Sequence, residues 1–256
     1  MIDDPDFIWR HHNACSETNS NRRIIAQSNK GFTLLSLDFD STVLWNILTN
    51  KLRILPRIRG DSIGSFGFGY DVASDDYKLV RIFWNQSFTK VIVYSLRANS
   101  WRWIEDLPDY CSFYSFYQLC GIFIASTLSW MEPMKSREST AWIISFDLKS
   151  EKFHKLSVLV HDITTTNVGE WDTTVNVLGG CLCLSRNDGC ELVVDIWVMK
   201  EYNVKDSWTK LFSFSYLSLN IYGSMPPIVK SLFYSKTGEK VFPILNNLHV
   251  IRHDLK

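Results

Sequence analysis

Val91-Ile92-Val93-Tyr94, Arg97-Ala98-Asn99-Ser100 and Trp101-Arg102-Trp103-Ile104 form one short unit of sequence. An apolar strand ends in an aromatic, a polar turn follows, and a bulky ring opens a second strand. β-Branched and aromatic residues favour a pleated, half-buried surface, while Asn, Ser and Arg suit an exposed turn, so the unit predicts a β-hairpin. Upstream, the same grammar runs Val43-Leu44-Trp45, Leu48-Thr49-Asn50-Lys51, Leu52-Arg53-Ile54-Leu55-Pro56. Downstream it runs Trp142-Ile143-Ile144-Ser145-Phe146, Lys149-Ser150-Glu151-Lys152, Phe153-His154-Lys155-Leu156. A fourth copy joins Val193-Val194-Asp195-Ile196-Trp197 to Trp208-Thr209-Lys210-Leu211-Phe212 through a longer polar stretch. In the first three copies the aromatic and the next bulky residue stand seven positions apart: Trp45 to Leu52, Tyr94 to Trp101, Phe146 to Phe153. The aromatics fall at 45, 94, 146 and 197, a period of about 50 residues, and a fifth copy opens at Leu248-His249-Val250-Ile251.

A lone hairpin cannot bury its apolar face, whereas sheets stacked face to face cover one another. A period of about 50 residues with four strands per repeat is that of kelch-type propeller blades. The remaining two strands of a blade are legible before several of the hairpins. Ile24-Ile25-Ala26-Gln27 and Phe32-Thr33-Leu34-Leu35 flank Ser28 to Gly31, and Phe66 to Tyr70 and Tyr77 to Ile82 flank Asp71 to Asp76. Thr174 to Leu178 and Cys181 to Leu184 flank Gly179-Gly180, a strong turn signal. The expected fold is therefore all-β, a kelch-like β-propeller with its strand-ending aromatics in blade-to-blade contacts. Four repeats and part of a fifth predict an incomplete ring with an open edge, and with it low solubility. Outside the sheets, Asp3 or Asp4 and Pro5 predict a short helix over Asp6 to His12, followed by a polar linker. Stretches at about 131–140 and 161–171 read as loops on a propeller face.

Composition narrows the function. Hydrophobic residues make up 46% of 256, enough for one substantial core or a ring of small ones. The formal net charge is zero, which gives no electrostatic reason to expect nucleic acid or an anionic membrane as partner. The N-terminus, Met-Ile-Asp-Asp-Pro-Asp, is acidic where a secretory signal would be basic, and no apolar run is long enough to span a bilayer. Without an export signal, Cys15, Cys111, Cys120, Cys181, Cys183 and Cys190 are expected to be reduced, and the chain cytoplasmic or nuclear.

Motifs that carry chemistry are scarce. Gly67-Phe68-Gly69 lacks the third glycine and following helix of a dinucleotide site, so a bulge or close backbone approach is the expected role. Cys181, Cys183 and Cys190 lack the spacing of a zinc site. The histidines are scattered, no Gly-x-Ser-x-Gly elbow occurs, and the carboxylates mostly fall in turns. No cofactor, no metal and no catalysis are expected. Trp45, Trp101, Trp197 and Trp208 are expected in blade packing. Trp103, alternating with Arg102, is expected to face outward as a partner contact, and so is one row of Phe113-Tyr114-Ser115-Phe116-Tyr117, with Tyr114 and Phe116. Trp84 and Trp130 are further candidates for exposed contact.

Gly67-Phe68-Gly69-Tyr70-Asp71-Val72-Ala73-Ser74-Asp75-Asp76-Tyr77-Lys78-Leu79-Val80-Arg81 resembles the signature of the F-box-associated domain of plant F-box proteins. Leu44-Trp45-Asn46 with Leu55-Pro56, Ile144 to Leu148 with Glu151 to Phe153, and Asp195 to Tyr202 with Ser207 to Lys210 are similar to the same family, in its order, over about 24–255. S-locus F-box proteins are similar in this domain. The resemblance makes Gly67, Gly69, Tyr70, Asp71, Asp76, Tyr77, Lys78, Asp195, Trp197 and Trp208 a structural signature. It implies substrate recognition within a cullin–RING (SCF) ubiquitin ligase, with a target protein, the Skp adaptor and a cullin as partners. Ile2 to Ile8 with His11 resembles the segment that follows an F-box, so residues 1–22 are expected to be a helix and linker after a missing F-box, and 23–256 the propeller-like domain. An F-box-less decoy that binds the target without a ligase role is one alternative; a propeller enzyme or lectin is another.

Overall fold

Tyr94 pairs with Trp101 and Ser95 with Ser100, so the hairpin at 91–104 forms as two antiparallel strands closed by four residues. It belongs to a computed structural model that describes residues 23–27, 32–36, 42–46, 48–58, 64–84, 89–104, 108, 120–132, 142–158, 173–188, 192–217, 228–245 and 249–255. The expected helix at 6–12 and the linker after it lie outside the described residues, as do Tyr114 and Phe116.

The described strands make five antiparallel sheets, four of them joined strand to strand in chain order and the fifth with its last two strands both on β18. Sheet I holds β1 (Arg23–Gln27), β2 (Phe32–Ser36), β3 (Thr42–Asn46) and β4 (Lys51–Ile54). Sheet II holds β5 (Gly64–Asp71), β6 (Asp76–Trp84), β7 (Thr89–Ser95) and β8 (Ser100–Ile104). Sheet III holds β9 (Ile122–Ile124), β10 (Thr127–Glu132), β11 (Trp142–Asp147) and β12 (Lys152–Ser157). Sheet IV holds β13 (Thr173–Leu178), β14 (Cys181–Asp188), β15 (Val193–Met199) and β16 (Trp208–Ser215). Sheet V holds β17 (Val229–Tyr234), β18 (Lys240–Leu245), β19 (His249–Val250) and β20 (His253–Asp254). Two compact units result, Met1–Tyr114 with Leu119–Gly121, and Ser115–Gln118 with Ile122–Lys256.

The all-β fold and its four-stranded repeat agree with the sequence reading, and several details correct it. The fifth copy begins at Val229, since β17 and β18 supply its first hairpin. Its third position is an interrupted strand, because β19 and β20 both pair with β18. Met131 and Glu132, read as the start of a loop, finish β10 and are buried. Gly67 and Gly69 keep an unbroken register with Val80 and Lys78, so they mark no bulge. The backbone does come close beside them, where the Gly121 N–H donates to the Phe66 carbonyl at 2.6 Å.

Period-two alternation puts apolar residues on both faces of these sheets. In the second unit, Val175, Leu182, Leu184 and Met199 of sheet IV pack against Met131, Ile143 and Leu156 of sheet III. From the other face, Cys183, Ile196, Val198 and Phe212 meet Leu232, Val241 and Leu245 of sheet V. In the first unit, Leu44 and Leu55 of sheet I meet Phe68, Leu79 and Tyr94 of sheet II. Each large side chain removed from water contributes about 1.5–3 kcal/mol, so these layers are what holds neighbouring sheets together. First strands also lie against one another, β1 on β5 in the first unit and β13 on β9 and β17 in the second, as first strands of blades do.

The aromatics of the repeat are placed by this stacking. Tyr94 lies between sheets I and II, and Trp197 packs partly buried between sheets III and IV. Trp45 and Phe146 are buried as well. Trp130, read as a candidate for exposed contact, is fully buried in β10, a strand covered on both faces. The Trp84 side chain lies outside the described residues.

Candidate functional site

The signature residues Gly67, Gly69, Tyr70, Asp71, Asp76, Tyr77 and Lys78 come together in one hairpin, β5–β6. Asp71 ends β5 and is buried. Its carboxylate accepts from the Ala73 N–H at 3.0 Å and the Ser74 hydroxyl at 2.6 Å, and faces the Lys78 ammonium at 2.9 Å. Burial by itself pushes the Asp71 pKa up, but the Ser74, Lys78 and Ala73 bonds outweigh it and hold the carboxyl below its ordinary value. Across the turn, Asp75 adopts φ +50° and accepts from the Tyr70 hydroxyl. Tyr70 and Tyr77 face each other across the strands with ring centroids 5.0 Å apart.

Asp76 secures the neighbouring turn. Its carboxylate accepts from the Ser95 hydroxyl and, at 2.8 Å, from the Arg97 N–H, while Arg97 Nη1 donates back to the Ser74 carbonyl at 2.9 Å. The acidic cluster at 71–76 thus ties two hairpin tips of sheet II together, and its polar atoms are spent on the backbone and on Lys78 and Arg97.

The second group of signature residues lies in sheet IV. Asp195 meets Lys210 at 2.8 Å across β15 and β16 and accepts from the Ser213 hydroxyl at 2.7 Å. The Trp208 indole N–H donates at 3.3 Å to the carbonyl of Ser157, the last residue of β12 in sheet III. In the first unit the Trp101 indole makes the equivalent bond to the Pro56 carbonyl at 2.8 Å. A fourth-strand tryptophan therefore pins its sheet to the one before it in both units. Tyr202, in the long β15–β16 turn, adds a 2.6 Å bond to the Thr127 hydroxyl of sheet III.

Among the described residues, large apolar side chains stay exposed in both units, Ile54 and Trp103 in the first and Phe233, Tyr234 and Val250 in the second among them. Trp103 on β8 is 46% exposed, packs at 6.2 Å against Phe83, and has the Lys90 ammonium 5.9 Å from its ring. Sequence reasoning named Trp103 but not Phe83 or Lys90. The signal lay in the pairing, since Ile92 faces Trp103 and residues two apart on β6 and β7 share its face. No group of three or more His, Cys, Asp or Glu side chains that could hold a metal ion occurs among the described residues.

The family model for the F-box associated beta propeller domain matches residues 11–249. The chain belongs to the F-box associated β-propeller family. F-box protein CPR1 of Arabidopsis thaliana is 36% identical over an alignment of 318 positions covering 100% of this chain and 75% of CPR1. The F-box/kelch-repeat protein At3g23880 of the same plant is 31% identical, over 72% of this chain and 50% of its own length. F-box protein At4g22390 is 32% identical over 57% of this chain and 39% of its length. The chain thus spans between about two fifths and three quarters of these F-box relatives. Within the F-box associated domain, the residues that carried the resemblance are those that tie turns and neighbouring sheets.

Proposed function

We propose that this chain is the target-binding part of an F-box type subunit of an SCF ubiquitin ligase, and that binding a protein is its whole activity. The observation that carries the reading is the division of labour within the F-box associated domain. The signature carboxylates and tryptophans hold turns and sheets together, while an aromatic and several cations stand on the outer border of sheets I and II. Such a surface suits a protein partner, because aromatic and Arg side chains supply most interface hot spots. The covalent step belongs to other subunits, which the Skp adaptor and a cullin bring to the target. The compartment is the cytoplasm or the nucleus, where such ligases meet their targets.

The test is co-precipitation of the chain from plant cells with the Skp adaptor and cullin, with target abundance followed after proteasome inhibition. A target that accumulates under inhibition, together with adaptor association, supports the reading. A target held stably with no adaptor in the complex assigns the chain the role of a decoy instead.

A further inference from the structure

We propose that residues 249–255 form a strap on sheet V that opens and closes as a unit while sheets IV and V stay packed together.

β19 and β20 are two pieces of one strand. Leu245 faces His249, Ile244 faces Val250, Val241 faces His253 and Lys240 faces Asp254, so one register runs through both pieces. Between them Ile251 stands opposite Pro243. The Ile251 N–H donates to the Pro243 carbonyl at 2.9 Å, and the return bond of that antiparallel pair has no donor, because proline carries no N–H. The missing bond is what divides the strand. Within sheets, proline is confined to edge strands, with its nitrogen side turned away from any partner, or to strand starts and bulges. Pro243 turns its nitrogen toward the strap, so β18 is built as a strand that can serve as the edge of sheet V.

The contacts that hold the strap are few. In sheets I to IV the third strand lies between two neighbours, whereas β19 and β20 pair with β18 alone among the described residues. Ile251 and Leu255 pack, partly buried, into the layer between sheets IV and V, and the His253 ring stacks on Phe212 with centroids 4.2 Å apart. The Leu255 N–H donates to the Glu239 carbonyl at 2.7 Å. On the outer side Val250 is exposed, and Asp254 meets Lys240 at 3.9 Å and Arg252 at 3.3 Å in pairs open to water, which contribute little. Sheet V holds sheet IV without the strap, through the buried Val229, Leu232, Val241 and Leu245. Elements with few buried contacts open locally, at a lower free energy than the core beneath them. Opening turns β18 into a free sheet edge and uncovers the Phe212 ring, so the strap controls whether that surface is presented.

The test is amide hydrogen exchange of the full chain, read residue by residue by NMR. Successive N–H groups of β18 point to opposite sides, those of Val241 and Leu245 toward the strap and those of Phe242 and Ile244 toward β17. Val241 and Leu245, with Ile251 and Leu255, should exchange together and about tenfold or more faster than Phe242 and Ile244. Pro243→Val supplies the missing donor and should slow the strap-side amides about three- to tenfold relative to the β17-side pair. His253→Ala withdraws the ring from Phe212 and should speed them relative to the same pair. Equal rates on the two sides of β18 would mean that sheet V opens whole, which overturns the inference. A ratio of the two rates that neither substitution moves overturns it as well.

Discussion

The Tyr94 hydroxyl donates at 2.7 Å to the side-chain oxygen of Asn99, five residues on, where the turn bends back through φ +52°. Trp45 makes the same bond to Asn50 at 3.2 Å, again at φ +52°, and Tyr70 makes it to Asp75. In each hairpin the aromatic also faces the residue seven positions on: Tyr94 with Trp101, Trp45 with Leu52, Tyr70 with Tyr77. A short polar residue next to the aromatic caps the turn, as Asn46 accepts from the Thr49 N–H and Ser95 from the Ala98 N–H. Left-handed backbone suits Asn far better than Ala. Asn99→Ala should therefore cost about 2 kcal/mol, one part the lost hydrogen bond and one part strain. Asn99→Gly should cost only about 1 kcal/mol, because Gly adopts this backbone freely. Urea titration of both variants checks the order, and equal losses would remove strain from the account.

Asp71 gives the fold a defined acid sensitivity. Its folded pKa lies below the unfolded value of about 3.9. The stability it contributes is fully present above that value and disappears as pH falls through the folded pKa. Asp71→Asn removes the anion that Lys78 meets in a buried site, and should cost about 3–5 kcal/mol near neutrality. The difference between wild type and variant should shrink once the pH drops below the usual carboxylate range. Urea titrations from neutral to strongly acid pH would show it, and a pH-independent difference would contradict it.

Gly179 and Gly180 should respond differently to Ala although both have positive φ. A Cβ on Gly179 would come within 2.7 Å of the Tyr234 ring, whereas one on Gly180 meets nothing within 4 Å. Gly180→Ala should cost only backbone strain of about 1–2 kcal/mol, and Gly179→Ala clearly more. Combining Gly179→Ala with Tyr234→Ala should bring its cost down toward that of Gly180→Ala, as measured by thermal melting.

The two indole bonds between sheets should be separable from packing. Trp208→Phe keeps an aromatic ring but withdraws the N–H that meets the Ser157 carbonyl, and Trp101→Phe does the same toward Pro56. Each should destabilise by about 1 kcal/mol from the lost bond plus a contribution from the smaller ring. Amide exchange should quicken locally at the joint each indole bridges.

Cys183 should be inert while the protein is folded. Burial pushes its thiol up to about 12, so almost no thiolate exists near neutrality. Iodoacetamide should label the partly exposed Cys120 and Cys181 first and reach Cys183 only on unfolding, as read by peptide mass spectrometry.

The repeat was legible because the hairpins are local. The seven-residue spacing of Trp45 with Leu52, Tyr94 with Trp101 and Phe146 with Phe153 is the cross-strand pairing itself. Tyr70 and Tyr77 share that spacing, but the dense signature around them drew attention to its glycines and acids instead. The β17–β18 hairpin escaped notice although Tyr234 stands seven residues before its partner Val241, because Pro243 breaks the strand-like run that follows. The burial of Trp130 could not be read either. Every residue of β10 is buried, so both faces of the strand are covered and no alternation marks an inner one. At the candidate site, Trp103 and Arg102 were visible as an alternating pair, whereas Phe83 and Lys90 reach Trp103 only through the pairing of three strands.

The hairpin tips have one more consequence. The bends are fixed by the aromatic, its capping neighbour and the left-handed residue, and some of the positions between them point their side chains into water. Leu48 and Val72 stand there 80% and 71% exposed. Substitutions there change the surface that the hairpin tips present without refolding anything beneath them.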